Sequence, residues 1–244
     1  MVSNKQLKLL NQLKQKKYRN EYNLFVAEGI KTVKELMNAD FEIHQIFALE
    51  DFFNQIQHPK SILISPSELK KISNLKSPNE VLGIFEFPKK IELDRNGITL
   101  VLDDINDPGN LGTIIRLCDW FDVRKLVCSK NTVDCYNPKV VQASMGSIAR
   151  VSIIYEDLET YLKPEKRPIY GTFLEGGNIY QNNLEKEAVI IMGNEANGIS
   201  AQISQLIQHK ITIPQFGQNQ ATESLNVSTA TAIILSEFKR KTSF

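Results

Sequence analysis

Residues 98–116 read ITLVLDDINDPGNLGTIIR, and the fold turns on them. Ile98 to Leu102 is an apolar run of strand length, the Asp, Asn, Pro and Gly residues after it are turn formers, and a helix begins at Leu111. Leu111, Ile114, Ile115 and Cys118 fall at i, i+3, i+4 and i+7, so one face of that helix packs into a core. Arg116 lies off the stripe. It shares a face with Gly112 and Asp119, and Gly112, one turn back, leaves room beside the guanidinium for a phosphate or carboxylate. An Asn110 that caps the helix and an Arg116 on its surface account for the same letters, so this segment alone leaves both roles open.

The strand, turn and helix pattern continues outward. Strands are predicted at Lys125–Cys128, Val151–Ile154, Ile169–Phe173, Ala188–Met192 and Ile211–Ile213, with helices near Val140–Ile148, after Ile199 and after Ser224. This alternation predicts an α/β fold, a parallel sheet covered on both faces, with ligands at the carboxyl ends of strands. Two more Gly- and Asn-containing segments occupy such ends. Residues 190–199, IIMGNEANGI, place Glu195 near the end of a buried strand, in a turn whose backbone amides can approach a ligand. A plain strand-to-helix turn capped by Ser200 explains that segment too. The third segment is IPQFG at 213–217 with TESLNVSTA at 222–230. Its Ser228 and Ala230, with Ala232 beyond, suit tight helix packing, whereas Ser224 and Asn226 at the helix start stay open in role.

Upstream, residues 22 to 87 form a second, smaller α/β pattern. Its strands are expected at Leu24–Ala27, Ile43–Ala48, Ser61–Ile64 and Val81–Phe85, with a helix carrying Ile30, Val33, Leu36 and Met37. Ser65-Pro66-Ser67-Glu68 has capping-box spacing with Pro at the first helical position. Residues 88–97 mix charge, Pro and Gly without a period, which sets the expected boundary: a domain at 1–90, a linker at 91–97 and a second domain at 98–244.

The 244 residues suffice for one large or two small domains, and 42% hydrophobic with 23% charged residues is globular composition, which excludes fibrous and disordered classes. The net charge of +1 hides an asymmetry: residues 1–20 hold Lys5, Lys8, Lys14, Lys16, Lys17 and Arg19 and no acid. A polyanion partner fits that end, as does a solvated amphipathic helix, because Leu7, Leu10 and Leu13 recur at helical spacing. No apolar signal-peptide core follows these charges, and runs such as Ala188–Met192 are too short to span a bilayer, so a cytoplasmic protein without membrane contact is expected. Three cysteines without a CxxC pair and three scattered histidines give no disulfide framework and no expected metal site. GxxxxGK[ST], GxGxxG and GxSxG are all missing, which argues against P-loop, dinucleotide and serine-hydrolase chemistry.

In order, DPGNLG with Arg116, MGNEANG at 192–198, and Ile213-Pro214 with ESLNVS at 223–228 resemble the three motifs of the SpoU (TrmH-like) RNA ribose 2′-O-methyltransferases of the SPOUT superfamily. Residues 19–29, RNEYNLFVAEG, resemble the start of that family's N-terminal RNA-substrate-binding domain, so the similarity covers nearly the whole chain. The resemblance implies a deep trefoil knot in the C-terminal domain, S-adenosylmethionine as cofactor, RNA as partner (rRNA ahead of tRNA), and a homodimer with active sites at or near the subunit interface. It places Asn110, Arg116, Glu195, Ser224 and Asn226 in the catalytic site, and Gly193, Asn194, Ile213, Pro214 and Leu225 around the cofactor. Lys14, Lys16, Lys17 and Arg19 are the expected RNA contacts. Arginine is a poor free base at neutral pH, so Arg116 is expected to bind the adjacent phosphate and orient the hydroxyl. Two departures from the family pattern stand out: extra residues, Gln218 to Ala221, between Pro214 and Ser224, and Gln142 where an arginine is common. The rival expectation is a noncatalytic RNA-binding or ribosome-assembly protein on the same scaffold.

Overall fold

A computed structural model describes residues 1–88, 96–217 and 224–243, without the side chains of 242 and 243. Most of the expected linker and the extra residues Gln218 to Ala221 lie outside the described residues. The chain forms two compact units, residues 1–91 with 134–149, and residues 92–133 with 150–244.

The first unit begins with α1 (Asn4–Gln12), α2 (Lys16–Tyr22), β1 (Leu24–Glu28) and α3 (Ile30–Asn38). It continues through β2 (Ile43–Ala48), α4 (Glu50–Ile56), β3 (Ser61–Leu63), α5 (Pro66–Ile72) and β4 (Val81–Glu86). The strands form a four-stranded sheet in the order β1-β4-β2-β3, antiparallel except for the β2–β3 pair. Leu10 and Leu13 are buried against Leu24, Phe47, Leu82 and Ile84, so the apolar stripe of the first helix is core while its lysines face solvent. Ser65 and Glu68 make the capping box that their spacing predicts, and a second box joins Ser3 to Gln6.

The second unit holds β5 (Ile98–Leu102), α6 (Pro108–Trp120) and β6 (Lys125–Ser129). The chain then contributes α7 (Pro138–Ser144) to the first unit and returns with β7 (Ser152–Glu156). It ends with α8 (Leu158–Leu162), β8 (Ile169–Asn178), β9 (Ala188–Met192), α9 (Ala201–Ser204), β10 (His209–Thr212) and α10 (Val227–Ser243). Six parallel strands lie in the order β10-β8-β9-β5-β6-β7. All ten residues of the adjacent strands β5 and β9 are buried, as strands covered on both faces must be. The carboxyl ends of these two strands carry the candidate site.

The expected boundary places residues 134–149 in the second domain, whereas the structure groups them with the first unit. Their contacts are with the first unit: α7 packs on β1, and the Tyr136 ring lies 4.6 Å from Phe25 and 4.2 Å from Phe87. The expected helix near Val140–Ile148 starts earlier, at Pro138, and stops at Ser144 because Met145 adopts a left-handed conformation with φ 52°. Among the described residues no helix is long and apolar enough to cross a membrane, and no cluster of three His, Cys, Asp or Glu could hold a metal.

Candidate active site

The buried run of β5 ends in two aspartates, and the chain turns sharply there because Asp104 adopts φ 60°. Asp107 then caps α6, accepting from the Asn110 N–H at 2.8 Å, with Pro108 at the first helical position. Capping is therefore the work of Asp107, and the Asn110 side chain is free for tertiary contacts. Its Nδ2 donates to Glu195 Oε1 at 2.9 Å, and its Oδ1 accepts from Asn226 Nδ2 at 2.9 Å. Asn226 Oδ1 accepts from the backbone N–H of Ser228 at 3.0 Å and of Thr229 at 3.3 Å, which caps α10. A carboxylate only accepts, so Glu195 dictates which way the Asn110 amide faces, and Asn110 in turn dictates Asn226. Three segments far apart in sequence are joined in one polarised chain of hydrogen bonds.

The loop after β9 is built to be rigid. Asn194 and Gly198 exchange two backbone hydrogen bonds of 2.9 Å, and Asn194 Oδ1 accepts from the N–H groups of Ala196 and Asn197. Asn194 Nδ2 also donates to the Asp104 carbonyl at 2.6 Å, tying this loop to the end of β5. Gly193 admits no side chain, because a Cβ there would sit 2.3 Å from the Gly198 carbonyl carbon and the Ile199 nitrogen. The far side of the loop is held by buried Asp103, whose Oδ2 accepts from Ser200 N–H at 2.8 Å; Ser200 itself makes no side-chain cap.

Asp103 and Asp104 were missed by sequence reasoning. The signal was present, since an acid that directly follows a buried, almost wholly apolar strand is costly to bury unless bonded. Asp104 is satisfied by Ser129 Oγ at 2.5 Å and Asn131 Nδ2 at 3.3 Å.

The structure brings together Asn110, Glu195 and Asn226, with Asn194 bracing the loop. Arg116 and Ser224 stand outside this network. Arg116 is exposed on α6, and it pairs with no other described residue, since Arg150 takes Asp119 at 2.7 Å. Ser224 is exposed just ahead of the α10 cap. Ile213 and Pro214 follow β10 half-buried, and Leu225 exposes 49% of its surface. Lys14, Lys16 and Lys17 are exposed in the first unit, but Arg19 is 2% exposed. Its guanidinium donates to Asp134 Oδ2 at 2.9 and 2.6 Å and to the Leu13 carbonyl at 2.8 Å, so the expectation that Arg19 contacts RNA is corrected: the side chain is buried and turned inward within the unit.

The family model described as "SpoU rRNA Methylase family" matches residues 97–236, which include every residue of this network. The chain belongs to the SpoU rRNA methylase family. A second model, the MRM3-like substrate binding domain, matches residues 4–83. This SpoU-family chain is 28% identical to the 23S rRNA (guanosine(2553)-2′-O)-methyltransferase RlmP of Bacillus subtilis, over 96% of each chain. A solved structure of a putative RNA methyltransferase of the TrmH family from Porphyromonas gingivalis is 34% identical, covers 99% of both chains and superposes with a TM-score of 0.91. An AdoMet-bound rRNA methyltransferase from Sinorhizobium meliloti is 27% identical, covers 98% of this chain and 96% of its own, and has a TM-score of 0.87.

Proposed function

We propose that this SpoU-family chain is an enzyme that methylates a ribose 2′-hydroxyl of structured RNA, with S-adenosylmethionine as the methyl donor and ribosomal RNA as the substrate class. The joint of Asn110, Glu195 and Asn226 carries the proposal, because it fixes a carboxylate and two amides at the strand ends where an α/β sheet binds ligands. The relatives named above act on or are titled for RNA, and one holds AdoMet, which supports the same conclusion.

The residues present suit the cofactor. The loop at Gly193 and Asn194 offers backbone with no intruding side chain, and exposed Leu225 offers apolar surface for an aromatic base. Ile213 and Pro214 complete the proposed cradle. Bound S-adenosylmethionine supplies an electrophilic methyl group. The remaining tasks, alignment of the hydroxyl and removal of its proton, fall to the protein, and alignment alone is worth several kcal/mol. Exposed Arg116 binds the neighbouring RNA phosphate and orients the hydroxyl, whose proton leaves to that phosphate or to water. Ser224, beside the capped start of α10, completes the site. The first unit serves as the RNA-binding domain, with Lys14, Lys16 and Lys17 as phosphate contacts. A trefoil knot in the second unit and a homodimer acting in the cytoplasm complete the proposal; the strand order, with β8 between β9 and β10, is compatible with such threading.

Calorimetric titration with S-adenosylmethionine, followed by mapping of 2′-O-methylation in 23S rRNA transcripts, tests this. One site per chain and a new 2′-O-methyl group are expected. A folded protein that binds no S-adenosylmethionine with or without RNA would instead be a noncatalytic RNA-binding or assembly protein.

A further inference from the structure

We propose that Tyr18 and Tyr22 on α2 form a stacking platform for an unpaired base of the RNA, with Lys14, Lys16 and Lys17 holding the flanking phosphates. The proposal rests on the assignment of RNA as substrate and names where an unpaired base is gripped.

The helix reads KKYRNEY, and its two tyrosines stand one turn apart with ring centroids 6.1 Å apart and ring planes at 21°. Neither tyrosine belongs to the buried cluster that Leu10 and Leu13 form with the sheet residues. Tyr18 is half-buried and Tyr22 is 37% exposed, so Tyr22 is the solvent-facing member of the stack. Arg19 locks the helix in rotation, because its buried guanidinium points inward to Asp134. Tyr22 and Tyr18 then stand about 60° and 100° round the axis from it, at the margin between core and solvent. The left-handed Asn23, at φ 53°, ends the helix directly after Tyr22.

Charge selects the occupant. Lys17 Nζ lies 5.7 Å from the centre of the Tyr18 ring, Lys14 and Lys16 are exposed beside it, and Glu21 is the one acid in residues 1–22. Aromatic faces among cations bind single-stranded nucleic acid by base stacking, with phosphates taken by the cations. Bases inside an RNA helix are already stacked, so the platform fits a base splayed from a loop or bulge.

The test uses the whole protein, with fluorescence anisotropy on a labelled 12-nucleotide oligoadenylate and a 12-base-pair RNA duplex, and filter binding on a 23S rRNA transcript. Tyr22→Ala should weaken oligoadenylate and transcript binding by about 5- to 100-fold and duplex binding by less than about twofold. Tyr22→Phe should bind as wild type, since the ring rather than the hydroxyl stacks. Lys17→Gln should flatten the salt dependence by about one phosphate contact, whereas Tyr22→Ala leaves the slope unchanged. S-adenosylmethionine affinity should not move in any of these variants, melting temperature should hold in Tyr22→Phe and Lys17→Gln and fall by only a few degrees, roughly, in Tyr22→Ala for the lost ring pair, and Tyr18→Ala gives a second probe of the same stack. Wild-type transcript affinity in both tyrosine-to-alanine variants overturns the platform. So does a loss in Tyr22→Phe equal to that in Tyr22→Ala. If the wild-type protein binds none of the RNAs, the assignment of RNA itself fails, which is a separate and visible outcome.

Discussion

Asn226 holds two structures at once, and its two halves can be separated. Its oxygen caps α10, and its nitrogen reaches Asn110. Asn226→Ser retains a good capping group but is too short to bridge to Asn110. The melting temperature should therefore stay within about 2 °C, while single-turnover methylation falls by about 10- to 100-fold, the cost of about 1.4–3 kcal/mol for freeing hydrogen-bond partners. Asn110→Ala should match that loss, and the two changes together should cost little more than either, because they break one chain of bonds. An additive double mutant would show that the two amides act separately. Glu195→Gln is expected to be milder than Glu195→Ala, since its amide oxygen can still accept from Asn110. The letters alone could not assign these roles. Asn and Asp cap helices equally well, so Asn110 was as good a cap as Asp107 until their positions in space were known.

At the scale of elements, β5 and β9 were readable because strands buried on both faces are near-continuous apolar runs: AVIIM is one throughout, and ITLVL breaks only at Thr99. The box at Ser65 was equally plain, since its spacing is its geometry. In contrast, α4 is not legible in the sequence: EDFFNQI buries only Phe52, and seven residues carry too little periodicity. The hydrogen-bonded joint was half legible. Its members sat in the three marked segments, but which of them touch depends on the strand order, which no local pattern contains. The loop after β9 supplies the test proper to this scale. Gly193→Ala places a methyl group against the Gly198 and Ile199 backbone, where nothing flexible can yield. Opening the loop should reduce S-adenosylmethionine affinity by at least about tenfold on the scale of one to a few kcal/mol for such overpacking, read by calorimetry. Gly97→Ala, strained by its positive φ of 74° but with nothing within 4 Å of the added carbon, is the control for a destabilising alanine away from this loop. Equal cofactor affinity in both variants would mean that the close approach at Gly193 does not shape the cofactor site.

The stability of the whole molecule carries two ion pairs whose effects differ in kind. Arg167 holds the Glu165 carboxyl at a pKa of about 2, below the ordinary 4.5, and also donates to the Gly97 carbonyl at the start of β5. A depressed carboxyl stabilises the fold above its unfolded pKa and loses that contribution as pH falls toward the folded value. Arg167→Gln should therefore cost on the order of 2 kcal/mol in urea melts at pH 7 and progressively less between pH 4.5 and 2, after allowance for solvent screening. A deficit that stays constant across that range would place the effect in packing. The second pair, Arg19 with Asp134, joins α2 to the segment that the chain sends back into the first unit. Removing one partner leaves the other charge buried and alone, so Arg19→Met should lower stability by about 3–5 kcal/mol. Adding Asp134→Asn should restore part of that loss, because the stranded carboxylate is gone. Oligoadenylate and 23S rRNA affinity of the double variant, measured well below its melting temperature, should stay within about twofold of wild type, since the Arg19 guanidinium is buried inside the unit on Asp134 and Leu13, away from any phosphate. A tenfold loss of RNA affinity at unchanged stability would return Arg19 to the RNA surface.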